Sequence, residues 1–299
     1  MSGMIGEVAA LLTAFCWSFN SVVFTLAGRR VGSVTVNALR LWIAVPALLL
    51  VHGLLFGTPF PFAIEPARLL WLGASGVVGF VVGDAMLFES FLLIGPRLAM
   101  LLALLVPVFG AALAWVFLGE TLQPLEIAAI LLTIGGIAWV VAEGNAGGAA
   151  PPARHYGRGI WLAIGGAAGQ AVGLLFSRQG LAGGYSAISA TLVRVSVAAV
   201  VLALAGLARG TLRRHLAGLK DRKALLEISA GALTGPALGV ILSLVAIAHA
   251  SIGVASTLMS LTPVLLLPVS HFLFRERISP RAIAGTMAAL MGVVLLFLT

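Results

Sequence analysis

The chain has 299 residues, of which 61% are hydrophobic and 9% charged, against roughly 25% charged in a soluble domain. No single soluble core hides that much apolar surface, so the solvent must be lipid. Cys16 is the sole cysteine, which excludes internal disulfides and cysteine-rich metal sites. The net charge of +8 would suggest nucleic acid in a soluble protein. Here it is read as basic loops facing an anionic leaflet, with lipid and not nucleic acid as the partner.

In chain order, ten apolar runs are each long enough to cross a bilayer as a helix. The predicted spans are 5–27, 34–56, 68–92, 97–118, 123–142, 158–180, 187–208, 224–248, 254–274 and 280–298. The opening MSGMIGEV lacks the positive stretch of a signal peptide, so the first run is expected to stay in the protein. The segment EGNAGGAAPPARHYGR has no apolar periodicity. It sets a linker over 143–157 between a first unit, 1–142, and a second, 158–299.

The two units repeat each other. Gly95 to Pro124 reads GPRLAMLLALLVPVFGAALAWVFLGETLQP, and 156 positions later Ser251 to Pro280 reads SIGVASTLMSLTPVLLLPVSHFLFRERISP. At that one offset Gly79 meets Gly235, Gly83 meets Gly239, Ala99 meets Ala255 and Pro107 meets Pro263. Glu120 likewise meets Glu276, Pro124 meets Pro280 and Gly136 meets Gly292. Spans 2 and 7 echo more weakly and at a different offset, 154, placing Arg40 opposite Arg194. Five spans is an odd number, so the second copy must enter the membrane upside down. An all-helical protein of ten spans in two inverted five-helix repeats follows, and such repeats create a mid-membrane site where the halves meet.

Lysine and arginine set the expected orientation. The loops after spans 1, 3, 5, 7 and 9 carry fourteen, while the opposite side carries Arg68 and Arg178. The positive-inside rule then places both termini outside, in the periplasm if the membrane is a bacterial-type inner membrane.

Charged residues within spans are costly in lipid and normally face a cavity or a partner. They are Arg40, Asp84, Glu89 and Arg194. At about 1.5 Å per residue, Asn20, Arg40 and Asp84 lie at similar depth from one membrane side, roughly 10 Å in. They could form one polar layer, either a buried ion pair that fixes spans 1 to 3 or a place of substrate contact or gating. Asp84 corresponds to Val240, and Arg194 has no evident acidic partner, so the first half is expected to hold the charged part of a substrate. Glu89 is expected to reach toward Arg97 at the helix end. Trp17, Ser21, Phe80 and Phe88 in the first half, and Gln170, Phe176, Ser243, Met259 and Ser260 in the second, complete the substrate-binding candidates. Polar groups would fix the charged end of an amphipathic solute, and aromatic or thioether surface would receive the rest. For each candidate the plain alternative is core packing.

Pro107 and Pro263, and less strongly Pro236, are candidate kinks for gating, since proline removes a helix hydrogen bond. Glycines at three- and four-residue spacing (Gly73, Gly76, Gly79, Gly83; Gly231, Gly235, Gly239) are expected to let helices approach closely. Ala129, Thr133 and Gly136, with Gly285, Ala289 and Gly292, are expected to join the halves. Gly73-Ala74-Ser75-Gly76 fits the GxSG pattern of intramembrane serine proteases. A nucleophile needs a base within reach, however, and the repeat lacks the serine. With no phosphate loop, HExxH or acidic metal cluster, the chain is read as a non-enzyme without metal or cofactor.

The duplicated pattern Ala99, Pro107, Gly119-Glu120, Pro124, Gly136 and Ala255, Pro263, Glu276, Pro280, Gly292 resembles the EamA family of the drug/metabolite transporter superfamily. The general likeness is to aromatic amino acid exporters of the YddG type. The resemblance implies a central cavity lined by spans 1, 3, 4, 6, 8 and 9, with 5 and 10 at the seam. It also implies alternating-access export of a small solute, amino acids foremost, by a monomer. Nucleosides, drugs and other metabolites are the rival cargoes, and a membrane enzyme or a non-transporting scaffold is the rival class. Relatives that exchange protons use a glutamate in the first span. Here that span carries no interior acid, which leaves Asp84 as the deep carboxylate.

Overall fold

The structure, a computed structural model, describes residues 2–119, 121–143, 153–250, 252–276 and 278–298. Glu120, Ser251, Arg277 and most of the expected linker (144–152) lie outside the described residues. The described chain is helical, without strands: α1 (Ser2–Val31), α2 (Ser33–Phe56), α3 (Pro66–Gly76), α4 (Asp84–Leu102), α5 (Leu105–Leu118), α6 (Pro124–Glu143) and α7 (Ala153–Leu181). There follow α8 (Ala187–Ala208), α9 (Leu212–Gly218), α10 (Arg222–Ala232), α11 (Val240–His249), α12 (Ile252–Met259), α13 (Thr262–Phe272) and α14 (Pro280–Leu298).

Among the described residues nine helices are long and apolar enough to span a membrane; Leu105–Phe117 is shorter. The expected fourth span is where ten becomes nine. Gly95, at φ 81°, breaks the helical path inside α4. A second break at Ala103 and Leu104 separates α4 from α5. The counterpart break, at Ser260 and Leu261, separates α12 from α13. Each break is followed within three residues by a proline, Pro107 or Pro263, whose missing N–H cannot continue the helix ladder. The freed Met259 carbonyl accepts instead from Thr262 Oγ1 at 3.1 Å.

Two π-turns repeat with the same offset. Val77–Gly83 joins α3 to α4, and Leu233–Gly239 joins α10 to α11. The duplication thus reaches an irregularity that no hydrophobic pattern encodes.

Packing at the seam gives the relation between halves. A Cβ on Gly136 would stand 2.7 Å from Gly285 O, and Ala289 N is also in its way. A Cβ on Gly292 would meet Ala129 O and Thr133 N, each at 2.6 Å. These are the same contacts with the roles of the two copies exchanged, as a two-fold axis requires. Advancing from Ala129 to Gly136 along α6 means retreating from Gly292 to Gly285 along α14. The two helices are antiparallel, so the axis lies across them, in the membrane plane.

The same exchange recurs inside. Gly79 lies against Gly173 and Gly83 against Gly169, so the α3–α4 span packs antiparallel on α7 of the other half. Correspondingly Gly231 meets Phe24, Gly235 meets Asn20 and Gly239 meets Trp17, packing the α10–α11 span on α1. Without a hydrophobic force between helices in lipid, such bare glycine ridges are what permits close van der Waals approach.

Candidate functional site

At the junction of the halves lies a cavity of about 630 Å³. Trp17, Asn20, Ser21 and Phe24 line it from α1, Arg40 from α2, and Phe80 from the first π-turn. From α4 come Asp84, Leu87, Phe88, Phe91 and Met100. Gln170 and Leu174 of α7, Thr191 and Arg194 of α8, Gly235 and Pro236 of the second π-turn, and Val240 of α11 face them. Both helix breaks reach it, through Ala103, Leu104, Val106 and Pro107 on one side and Met259, Ser260, Thr262 and Pro263 on the other. Spans 2 and 7 therefore contribute beyond the expected set, and so does Phe297 of the last span.

The polar pole is built on the first π-turn. Arg40 pairs with Asp84, both buried, and donates Nε and Nη2 to Asn37 Oδ1 at 3.1 and 3.0 Å. Asn37 in turn donates to Phe80 O at 3.0 Å. Gln170 Nε2 crosses from the second half to Asp84 Oδ1 and to Gly79 O, the latter at 3.3 Å. A buried ion pair needs this completeness, because desolvating two charges costs several kcal/mol each unless their remaining bonding positions are filled. Aromatic faces finish the pole: the Arg40 guanidinium carbon sits 4.8 Å from the Phe88 ring centroid. Arg194 sits 4.7 Å from that of Phe80. Phe88 continues into a contact with Phe24 at 5.1 Å.

Asn20 lines the cavity but does not join that layer. With its amide nitrogen turned toward α10, it donates to Gly231 O and Thr234 Oγ1 at 3.0 and 2.6 Å, and accepts from Gly235 N at 3.2 Å. It therefore serves the second π-turn as Gln170 serves the first, each amide supplied by the opposite half.

Two candidates are not brought to the cavity. Phe176 packs on Trp71, centroids 5.7 Å apart. It lies six residues from Gln170, about 240° around the helix at 100° per residue, whereas Leu174 is only about 40° away. Ser243 donates to its own helix at Val240 O, 2.8 Å, and sits beyond a π-turn whose extra residue rotates the face expected from α-periodicity. Missed by the sequence reading were Phe24, Phe91, Met100, Thr191 and Thr262; extending the helical faces of Asn20 and Asp84 by four and seven residues finds Phe24 and Phe91. Glu89 meets Ser33 (2.6 Å) and Arg158 (3.6 Å), not Arg97. Arg97 pairs instead with Glu276 of the other half at 2.8 Å. Glycine is favoured at Gly95, beside that pair, by its φ of 81°, which L side chains rarely adopt, and a Cβ there would also push on Glu276 Oε1 at 2.8 Å. Ser75 is fully buried and donates to Gly173 O at 2.6 Å, which makes it a helix-packing hydroxyl.

A multi-pass, all-helical membrane protein built as two copies across a two-fold axis, with a charged and aromatic cavity between them, is the class that fold and site define. The chain belongs to the EamA-like transporter family, which it matches over residues 4–142 and again over 157–298. It is accordingly a membrane transporter of small molecules within the drug/metabolite transporter superfamily. Among solved structures, one described only as "Crystal structure of protein" is similar, with a TM-score of 0.58 at 17% identity, over 99% of this chain and 96% of that one. At that identity the likeness concerns the fold. No curated protein matches the chain.

Proposed function

We propose that this protein exports amino acids, aromatic ones among them, and related metabolites across a bacterial-type inner membrane by alternating access. The observation that carries the reading is the cavity. Its volume of about 630 Å³ suits a single small solute. It sets an ionic pole (Arg40, Asp84, Arg194) beside aromatic surface (Trp17, Phe80, Phe88), the pairing an amphipathic solute needs. Pro107 and Pro263 mark matched breaks where helix halves can tilt separately. A two-fold relation means that exchanging the conformations of the halves moves the opening from one membrane face to the other.

Efflux of preloaded labelled phenylalanine from proteoliposomes tests the cargo. Saturable efflux is expected. Saturable movement of a nucleoside or drug with no amino acid efflux would reassign the substrate, and failure of every solute would favour the scaffold reading. The Lys/Arg bias favours both termini outside, so a C-terminal alkaline phosphatase fusion should be active; an inactive one reverses the orientation.

A further inference from the structure

We infer that Arg194 is the anchor for a substrate carboxylate, which makes monoanionic amphipathic carboxylates the substrate class of the cavity. The inference rests on the reading of that cavity as the transport site.

Arg40, Asp84 and Arg194 are its charged lining, two cations and one anion. Arg40 is committed to Asp84 and twice to Asn37. Asp84 is committed on both oxygens, one to Arg40 and one to Gln170. Arg194 differs. Among the described residues it forms no ion pair, and its buried Nε finds no hydrogen-bond partner. Its Nη atoms also make no hydrogen bond among the described residues, and they are the part of the fork left open to the cavity. A ligand that brings an anionic acceptor to them offsets the cost of an unpaired, part-buried charge. The guanidinium fork matches the two oxygens of a carboxylate, and the Phe80 face beneath it orients the plane. Close packing brings the group to this place: a Cβ on Gly76 would lie 2.9 Å from the Arg194 carbonyl carbon, so only a bare backbone admits α8 here. One uncommitted cation in a largely apolar chamber suits a single negative charge better than the two of a phosphate ester. A ligand ammonium, by contrast, finds Asp84 already saturated. Carboxylate and apolar body should therefore dominate recognition, with the ammonium secondary.

The test is calorimetric binding of phenylalanine, 3-phenylpropionate, phenethylamine and phenyl phosphate to the full-length protein in lipid nanodiscs. Phenylalanine and 3-phenylpropionate should bind within a few-fold of each other, and phenethylamine at least tenfold more weakly. Arg194→Gln should weaken both carboxylates tenfold or more, Arg194→Lys less, with ligand-free melting preserved in Arg194→Lys. Unchanged carboxylate affinity in Arg194→Gln, preference for phenethylamine or phenyl phosphate, or no carboxylate binding to the unmodified protein would each overturn the anchor. Arg194-dependent binding of 3-phenylpropionate without phenylalanine efflux would keep the anchor and remove amino acid export. Phenylalanine efflux indifferent to Arg194→Gln would do the reverse.

Discussion

Val77–Gly83 and Leu233–Gly239 are the same π-turn in two copies, each held by an amide from the opposite half, Gln170 on Gly79 and Asn20 on Gly235. The residue after the first turn is Asp84; its counterpart is Val240. Arg40 and Arg194 stand opposite each other at the neighbouring offset of 154, yet the first forms an ion pair and the second forms none among the described residues. The skeleton has been kept in both copies, because each glycine ridge must receive the other half's helix. The acid has not: Asp84 of the first copy faces Arg40, and Val240 stands at its place in the second.

The comparison can be broken first at Asp84. Asp84→Ala leaves Arg40 buried without its anion, a change that costs about 3–5 kcal/mol in buried pairs. Transport should fall at least tenfold and melting should drop. The double variant Arg40→Gln, Asp84→Ala should melt above Asp84→Ala alone; a double variant no better than the single would mean that the pair is not a unit. Next, the skeleton: Gly136→Val and Gly292→Val should destabilise alike, by about 1–3 kcal/mol or more from overpacking. Gly110→Val, whose Cβ meets open space, should be silent in the same melting assay. Unequal effects at Gly136 and Gly292 would contradict the two-fold seam. Third, Pro107→Ala and Pro263→Ala should slow efflux a few-fold by restoring helix ladders, with binding less affected. A change in affinity without a change in rate would assign the prolines to the substrate surface.

The smallest effect concerns pH. His215 lies on α9, outside the long spans, between Thr35 Oγ1 (3.2 Å) and Thr211 Oγ1 (3.3 Å). Burial, and then the neighbouring Arg214, hold its pKa below the ordinary imidazole value. Folding thus favours the neutral ring. The resulting stability is present above the unfolded-state value, about 6.5, and is lost as pH falls from there toward the lower folded value. Melting temperature should decline between pH 7 and 5, less so in His215→Gln, by thermal scan at both pH values.

Much of the architecture was legible because proline and glycine are backbone instructions. The 156-residue offset relates the two π-turns, and it also pairs Pro107 with Pro263, the prolines that follow the two helix breaks. The Arg40–Asp84 pair was legible because lipid makes a stray charge expensive. What failed was rotation and crossing. Hydropathy does not say which helix a ridge will meet, so Asn20 was placed with Arg40 when Gly235 was its neighbour. Nor did composition show that Gly95 would fold the chain into a broken span, or that Arg97 would meet Glu276 across the seam.

The exchanged partnership of the spans has a consequence for biogenesis. Because the α3–α4 span packs on α7 and α1 packs on the α10–α11 span, neither half can finish its own packing as the ribosome delivers it. The early spans must wait in the bilayer with their glycine faces bare until the later ones are inserted. These glycine faces of the first half are covered only once the second half is in place, so the two halves are not independently packed modules.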